Sequence, residues 1–286
     1  MNLPTTAAPS FAIITGTGFD RFTELVPDFA EESVSTPYGT VYVQRFTRSG
    51  TAFVHANRHA AHAPIARRRW RLPMYHDLSG GEHFLDPRPL IFALACFRPQ
   101  RILSTTAVGT PQDLPIRGIV LPSDHCTPEF GILTFASEDS GPEFHQPKGR
   151  VFCGDLHPVL VEALHQRGHV TVTDGLLRII RGPGFESDVD AKKLRAEGVT
   201  IAGMHTALPE AYCSHELGYP YTSAAIITDS LAVHPDQDEI ERIAREVGGA
   251  LFETFCDLAV TGAFPPPSDT HQKHSVPGLR EKLGLA

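Results

Sequence analysis

The chain of 286 residues is poor in the features that would tie it to an oxidising compartment, a membrane or a metal. Its five cysteines, Cys96, Cys126, Cys153, Cys213 and Cys256, stand singly, with no Cys-x-x-Cys pair. An odd, scattered set of this kind predicts free thiols in a reducing cytoplasm. His55, His59 and His62 alternate with no cysteine or carboxylate at ligand spacing, so no metal is expected. No apolar run approaches the ~20 residues that span a bilayer. The opening MNLPTTAAPSFAIITG has no basic segment followed by a long apolar one, so no signal peptide is expected. Positive charge is scarce as well: 25 Lys and Arg against 33 Asp and Glu leave a net charge of -8. That balance argues against an extended nucleic-acid or anionic-membrane surface, but not against a local basic pocket for a small anion.

What is present suits one large domain. Hydrophobic residues make up 41% of the chain, enough for a well-buried core. Short apolar, β-branched runs predict strands at 11–15, 41–45, 52–56, 101–105, 118–121, 170–173, 176–181, 199–204 and 223–228. Helices are predicted at 87–97, 156–167, 188–197, 209–217 and 236–260. In the last of these, Ile240, Ile243, Ala244, Val247, Leu251, Phe255 and Leu258 recur at helical spacing and define one buried stripe. Alternating strands and helices imply an α/β fold with a mixed, largely parallel sheet covered on both faces. Residues 1–263 read as one domain. Residues 264–286 read as a C-terminal tail, because three consecutive prolines at 265–267 are expected to leave the compact part.

In open α/β sheets, ligands bind outside the carboxyl ends of the strands. Six predicted strands end in small, hydroxylic or charged residues. These are Thr15-Gly16-Thr17-Gly18, Asn57-Arg58-His59, Thr105-Thr106-Ala107-Val108-Gly109, Arg181-Gly182-Pro183-Gly184-Phe185-Glu186, Met204-His205-Thr206 and Asp229-Ser230. Six such ends suggest one shared pocket. A Gly-Thr-Gly turn offers backbone N–H groups and a hydroxyl to an oxyanion. Arg58 offers a fork of donors that matches phosphate.

The order and spacing of these segments resemble the trimeric nucleoside phosphorylases, above all the methylthioadenosine phosphorylases. ITGTGF is similar to that family's first phosphate loop, and TPYG to the short motif after it. NRHAAHAP resembles its Arg-His-Gly segment, and STTAVGT its Thr/Asn-Ala-x-Gly segment. RGPGFES with LRAEGVTIAGMHTALPEAYCSHELGYPY is the longest stretch of likeness, and IITDS resembles the strand whose terminal Asp or Asn meets the purine. The resemblance implies a nucleoside phosphorylase-like fold, a single domain with a mixed, partly barrel-like central sheet, and a homotrimer. It implies phosphate contacts at Thr17, Arg58, His59, Thr106, Ala107 and His205. It implies a substrate pocket of Ala107, Val108, Gly109, Phe185, Glu186, Gly203, Met204 and Asp229, with Asp229 and His205 in catalysis. An Asp at position 229 goes, in that family, with 6-amino purines. The implied reaction is phosphorolysis of methylthioadenosine or a related 5′-modified adenosine, with inorganic phosphate as co-substrate and no organic cofactor.

Several positions depart from the family pattern. The Arg-His segment is one residue shorter, at Arg58-His59-Ala60-Ala61-His62. Gly184 stands where an arginine is usual, His205 where a hydroxyl residue is usual, and Leu231 where a second Asp is usual. His205 is either a phosphate donor or acid/base group, or a packed histidine. Arg67, Arg68 and Arg69 either meet an anionic substrate or form a solvated loop. Glu210 reads as a structural acid at a helix start. Hydrolysis by water and nucleoside binding without chemistry stay open beside phosphorolysis.

Overall fold

The computed structural model describes residues 11–19, 22–59, 61, 86–126, 134–136, 150–180, 185–204, 207–268 and 275–285. Nine strands form one sheet: β1 (Phe11–Thr15), β2 (Ala30–Thr36), β3 (Gly39–Arg48), β4 (Thr51–Asn57), β5 (Arg101–Thr110), β6 (Ile119–His125), β7 (Thr171–Ile180), β8 (Ile201–Met204) and β9 (Tyr221–Ser230). Their order is β2-β3-β4-β1-β5-β8-β7-β6-β9, and β9 returns to pair with β5. Five strands therefore close into a barrel, and β1 to β4 extend from it as an open wing. Seven helices are described: α1 (Phe22–Leu25), α2 (Arg88–Ala95), α3 (His157–Gln166), α4 (Asp188–Ala196), α5 (Leu208–Glu216), α6 (Gln237–Val260) and α7 (Leu279–Lys282). Among the described residues no helix is long and apolar enough to cross a membrane.

β1 shows why the sheet must be covered on both sides. All five of its residues are buried. Phe11 and Ile13 join the core beneath α6, while Ala12 and Ile14 join the core beneath α2, the two-residue period of a strand. α6 carries the predicted stripe, buried at Ile240, Ile243, Ala244, Val247, Leu251 and Phe255. Its start is set by Asp236, whose side chain accepts the Glu239 N–H at 2.9 Å. The β3–β4 hairpin turns at Ser49 and Gly50, both with positive φ, the backbone that a two-residue turn demands.

The structure corrects four sequence expectations. β2 was not predicted, because Ala30–Thr36 alternates exposed and half-buried positions and carries two glutamates, as an edge strand does. The runs at 170–173 and 176–181 are one strand, β7. The break between them is Asp174 at φ 58, followed by Gly175, where a β-carbon would lie 2.3 Å from Val120 Cγ1. Thr106 to Gly109 lie inside β5 rather than after it, because β9 pairs with β5 as far as Thr110. The proline run also stays on the domain. Phe264 packs on Phe11 at 5.5 Å between ring centroids, and Arg101 donates to the Pro265 carbonyl. Asp155 accepts the Ser268 N–H at 3.0 Å, and Leu279 and Leu285 are buried in the core.

Candidate active site

β4, β1, β5 and β9 are mutually parallel neighbours, so their carboxyl ends gather at one edge. β1 stops at Thr15, while β5 continues to Thr110. The stretch 105–109 thus leaves β1 behind and faces the open edge. β8 crosses it antiparallel, with Gly109 opposite Ala202. Continuing that register carries Met204 to the level of Ala107. The topology therefore brings together Thr17, Arg58, His59, Thr106, Ala107, Val108, Gly109, Gly203, Met204 and Asp229. His205 lies outside the described residues, as do Gly184, His62 and the arginines 67–69.

Arg58 lies behind the 16–19 turn and is engaged within the protein. Its side chain is wholly buried and turned inward. Nε donates to Glu210 Oε1 at 2.6 Å, and Nη2 donates to Glu210 Oε2 at 3.1 Å and to Ser104 Oγ at 2.8 Å. Nη1 donates to the Thr105 carbonyl at 2.6 Å. The fork expected to grip a phosphate is thus held by the protein itself. Burial alone would lower the arginine's pKa, but the Glu210 carboxylate outweighs it and the pKa is raised. Tyr221 donates to Glu210 Oε2 at 2.6 Å, so both oxygens of the acid are engaged. Glu210 sits in the first turn of α5, as predicted, but its principal partner is this arginine rather than the helix dipole. Sequence reasoning therefore misses Ser104 and Tyr221, and misses Arg58 as the partner of Glu210. The only local signal was an acid in an otherwise apolar helix start.

In front of the arginine lies the turn 16–19, closed by the Phe19 N–H donating to the Gly16 carbonyl at 3.2 Å. A β-carbon at Gly16 would fall 2.3 Å from Arg58 Nη1, so the turn can approach the guanidinium only with glycine there. Thr17 Oγ1 is 3.3 Å from His59 Nε2. Burial, and then the Arg58 charge, hold the His59 pKa well below the usual histidine value. His59 is neutral at pH 7 and can offer an anion an N–H but no charge.

Across β5 the chemistry changes. Asp229 pairs with Gly109 through a register shift at Val108/Gly109. A β-carbon on Gly109 would lie 2.6 Å from Asp229 Oδ2 and 3.4 Å from Glu186 Oε1. Two carboxyl groups thus converge on a glycine, which lets them approach the backbone closely. Burial raises the Asp229 pKa, against the Thr228 hydroxyl, which donates to Oδ1 at 3.0 Å. Burial also raises the Glu186 pKa, helped by the nearby Asp229 charge. Next to Glu186, Phe185 stands 64% exposed.

Comparison with known proteins agrees with this arrangement. The family model for the phosphorylase superfamily matches residues 87–258, more than half of the chain. A Thermococcus kodakarensis protein named a probable 6-oxopurine nucleoside phosphorylase is 29% identical over 240 residues, covering 78% of this chain and 80% of that one. The S-methyl-5′-thioadenosine phosphorylase of Chloroflexus aurantiacus is 29% identical over 226 residues, covering 71% and 78%. The solved structure of methylthioadenosine phosphorylase from Schistosoma mansoni with adenine shares the fold, with a TM-score of 0.73, 23% identity and 97% of each chain covered. With the closed five-stranded barrel, its mixed wing and the polar strand ends, these matches make the chain a member of the phosphorylase superfamily.

Proposed function

We propose that the protein is a purine-nucleoside phosphorylase that cleaves methylthioadenosine or a related 5′-modified adenosine into adenine and a ribose 1-phosphate. One observation carries the reading: Asp229, a carboxyl group with a raised pKa, lies beside Gly109 at the end of β5, and the strand on the other side of β5, β1, leads into the 16–19 turn. The phosphorylase names of both relatives support the reaction, and the name of the Chloroflexus aurantiacus protein supports the substrate. Cleaving the C1′–N9 bond sends an electron pair into the purine and leaves positive charge on the sugar. Asp229 in its protonated form donates to N7 and neutralises the leaving base. Phosphate, held by Thr17, Thr106, the neutral His59 and the N–H groups of residues 16–18 and 107, stabilises the cation and attacks C1′. Arg58 acts from behind, fixing the Thr105 carbonyl and the helix that follows Met204. Glu186 and Phe185 border the base, and Gly203 and Met204 the ribose, where a thioether offers an adaptable apolar surface. His205, outside the described residues, is assigned to the phosphate side on the resemblance alone.

The five free thiols are consistent with work in a reducing cytoplasm. The exposed Phe185 is consistent with a homotrimer in which a second copy covers it.

A second reading, hydrolysis by water, is favoured by the Arg58–Glu210 pair, which holds within the protein the arginine expected on the anion side. One experiment separates the two. Purified protein is given methylthioadenosine, adenosine and inosine, with and without millimolar phosphate, and base release is followed. Phosphate-dependent release of adenine is expected. Equal release without phosphate selects hydrolysis, and no release from any nucleoside ends both readings.

A further inference from the structure

The anion side of the site hangs on a side chain that no motif marked as a ligand. Asn57 is the last residue of β4 and is fully buried. Its amide nitrogen donates to the Gly16 carbonyl at 3.2 Å, to the Phe19 carbonyl at 3.3 Å and to Thr15 Oγ1 at 3.4 Å. Its amide oxygen accepts the His59 N–H at 3.0 Å. One residue thus grips both ends of the 16–19 turn and the first turn after β4. The two segments are joined again where the Arg58 N–H meets the Thr15 carbonyl at 2.9 Å.

The clasp is anchored deep in the sheet. Thr15 Oγ1 lies 2.8 Å from His55 Nε2, His55 Nδ1 lies 3.0 Å from Gln44 Oε1, and Gln44 donates to Glu31 at 2.9 Å. The His55 ring also stacks on Phe22 at 4.3 Å, which fixes its plane. Hydrogen bonds in such a dry setting hold geometry strongly, and a missing partner is costly. The groups held in place are Thr17 and His59, whose side chains meet at 3.3 Å beside the turn.

We infer that Asn57 is a positioning residue for the phosphate subsite, and this rests on the phosphorylase reading above. It does not touch the anion. It sets the spacing between the 16–18 N–H groups and the Thr17–His59 pair before phosphate arrives, so that little reorganisation is needed on binding.

Asn57→Asp is the discriminating variant. It keeps the size and the acceptor for the His59 N–H, but it sets an oxygen against two carbonyls. Ionised, that oxygen repels them and the turn opens. Protonated, it restores one donor. Phosphate binding to the full chain is measured by calorimetry and by KM, for the wild type, Asn57→Asp and Asn57→Ser. At pH about 8, Asn57→Asp is expected to bind phosphate about ten- to a hundredfold more weakly, with nucleoside KM nearly unchanged. Acidifying Asn57→Asp to about pH 5.5 should recover much of that loss, a recovery that the wild type should not show.

If the variants do not fold, hydrogen exchange on the unaltered protein decides. The His59 and Phe19 amides should be protected without phosphate, and phosphate should add less than about tenfold. A larger gain means that the anion orders the turn, and it overturns the inference. Variants that fold and bind phosphate as the wild type does also overturn it while leaving the phosphorylase reading intact. A wild type that neither binds phosphate nor needs it for base release removes that reading, and the inference with it.

Discussion

The two sides of the site are built on opposite principles. On the wing side, around Arg58, Asn57 and the 16–19 turn, polar groups are answered from within the chain, by Glu210, Ser104, Thr105 and backbone carbonyls. On the barrel side, Asp229 and Glu186 take their character from burial, helped at Glu186 by the Asp229 charge, and Phe185 stands exposed. The first side is stiffened by satisfied bonds. The second keeps acids ready to hold a proton. An anion of fixed shape is served by donors placed in advance, whereas a leaving base needs a group that can change protonation state.

The largest expected effect breaks the wing side. Glu210→Ala leaves the Arg58 charge buried without its carboxylate and should cost about 3–5 kcal/mol in urea unfolding. Replacing the pair together, Arg58→Met with Glu210→Leu, should recover most of that stability. If Glu210→Ala unfolds like a surface substitution, within about 0.5 kcal/mol of wild type, the pair does not hold this side together.

On the barrel side, Asp229→Asn should lower kcat/KM for 6-aminopurine nucleosides about a hundredfold, with little change in KM for phosphate. Wild-type turnover of those nucleosides by the variant would remove Asp229 as the proton donor.

Two glycine variants sharpen the comparison because each addresses one side. Gly16→Ala drives a β-carbon to 2.3 Å from Arg58 Nη1 and should raise KM for phosphate about tenfold. Gly109→Ala drives one to 2.6 Å from Asp229 Oδ2 and should weaken nucleoside binding by a similar factor. If each variant shifts both constants equally, the two sides are not separable.

The smallest effect is a drift of stability with pH. Burial is the first cause holding the pKa of His59, His125, His157 and His169 below the usual value. The unfolded chain takes up protons near pH 6.5 that the native chain refuses. Stability from these histidines is complete above about pH 6.5 and is lost as pH falls towards their native values. The raised pKa values of Asp229 and Glu186 act oppositely, adding stability as pH falls through them. The melting temperature should therefore fall between about pH 7.5 and pH 5.5; a flat or rising profile would contradict the burial of these rings.

Much of the fold was legible because local pattern and tertiary role coincide. The stripe of α6, the buried run of β1 and the polar ends of β4 and β9 are each readable within about ten residues, the reach of a turn or strand. β2 escaped because an edge strand with two glutamates satisfies no apolar rule. The proline run was misjudged because its hold, Arg101 on the Pro265 carbonyl, spans 164 residues.

The sequence by itself determined which chemistry gathers at the strand ends: glycines and threonines for an anion, an aspartate for a base. Residue type and strand polarity suffice for that. Only the tertiary structure decided that Arg58 faces inward. Its partner Glu210 lies 152 residues away, and whether a guanidinium meets a ligand or a carboxylate depends on which charge the fold buries beside it. Tertiary structure likewise made Asn57 a clasp and the wing side a finished cradle, because a hydrogen bond between distant segments exists only once the sheet has set them side by side.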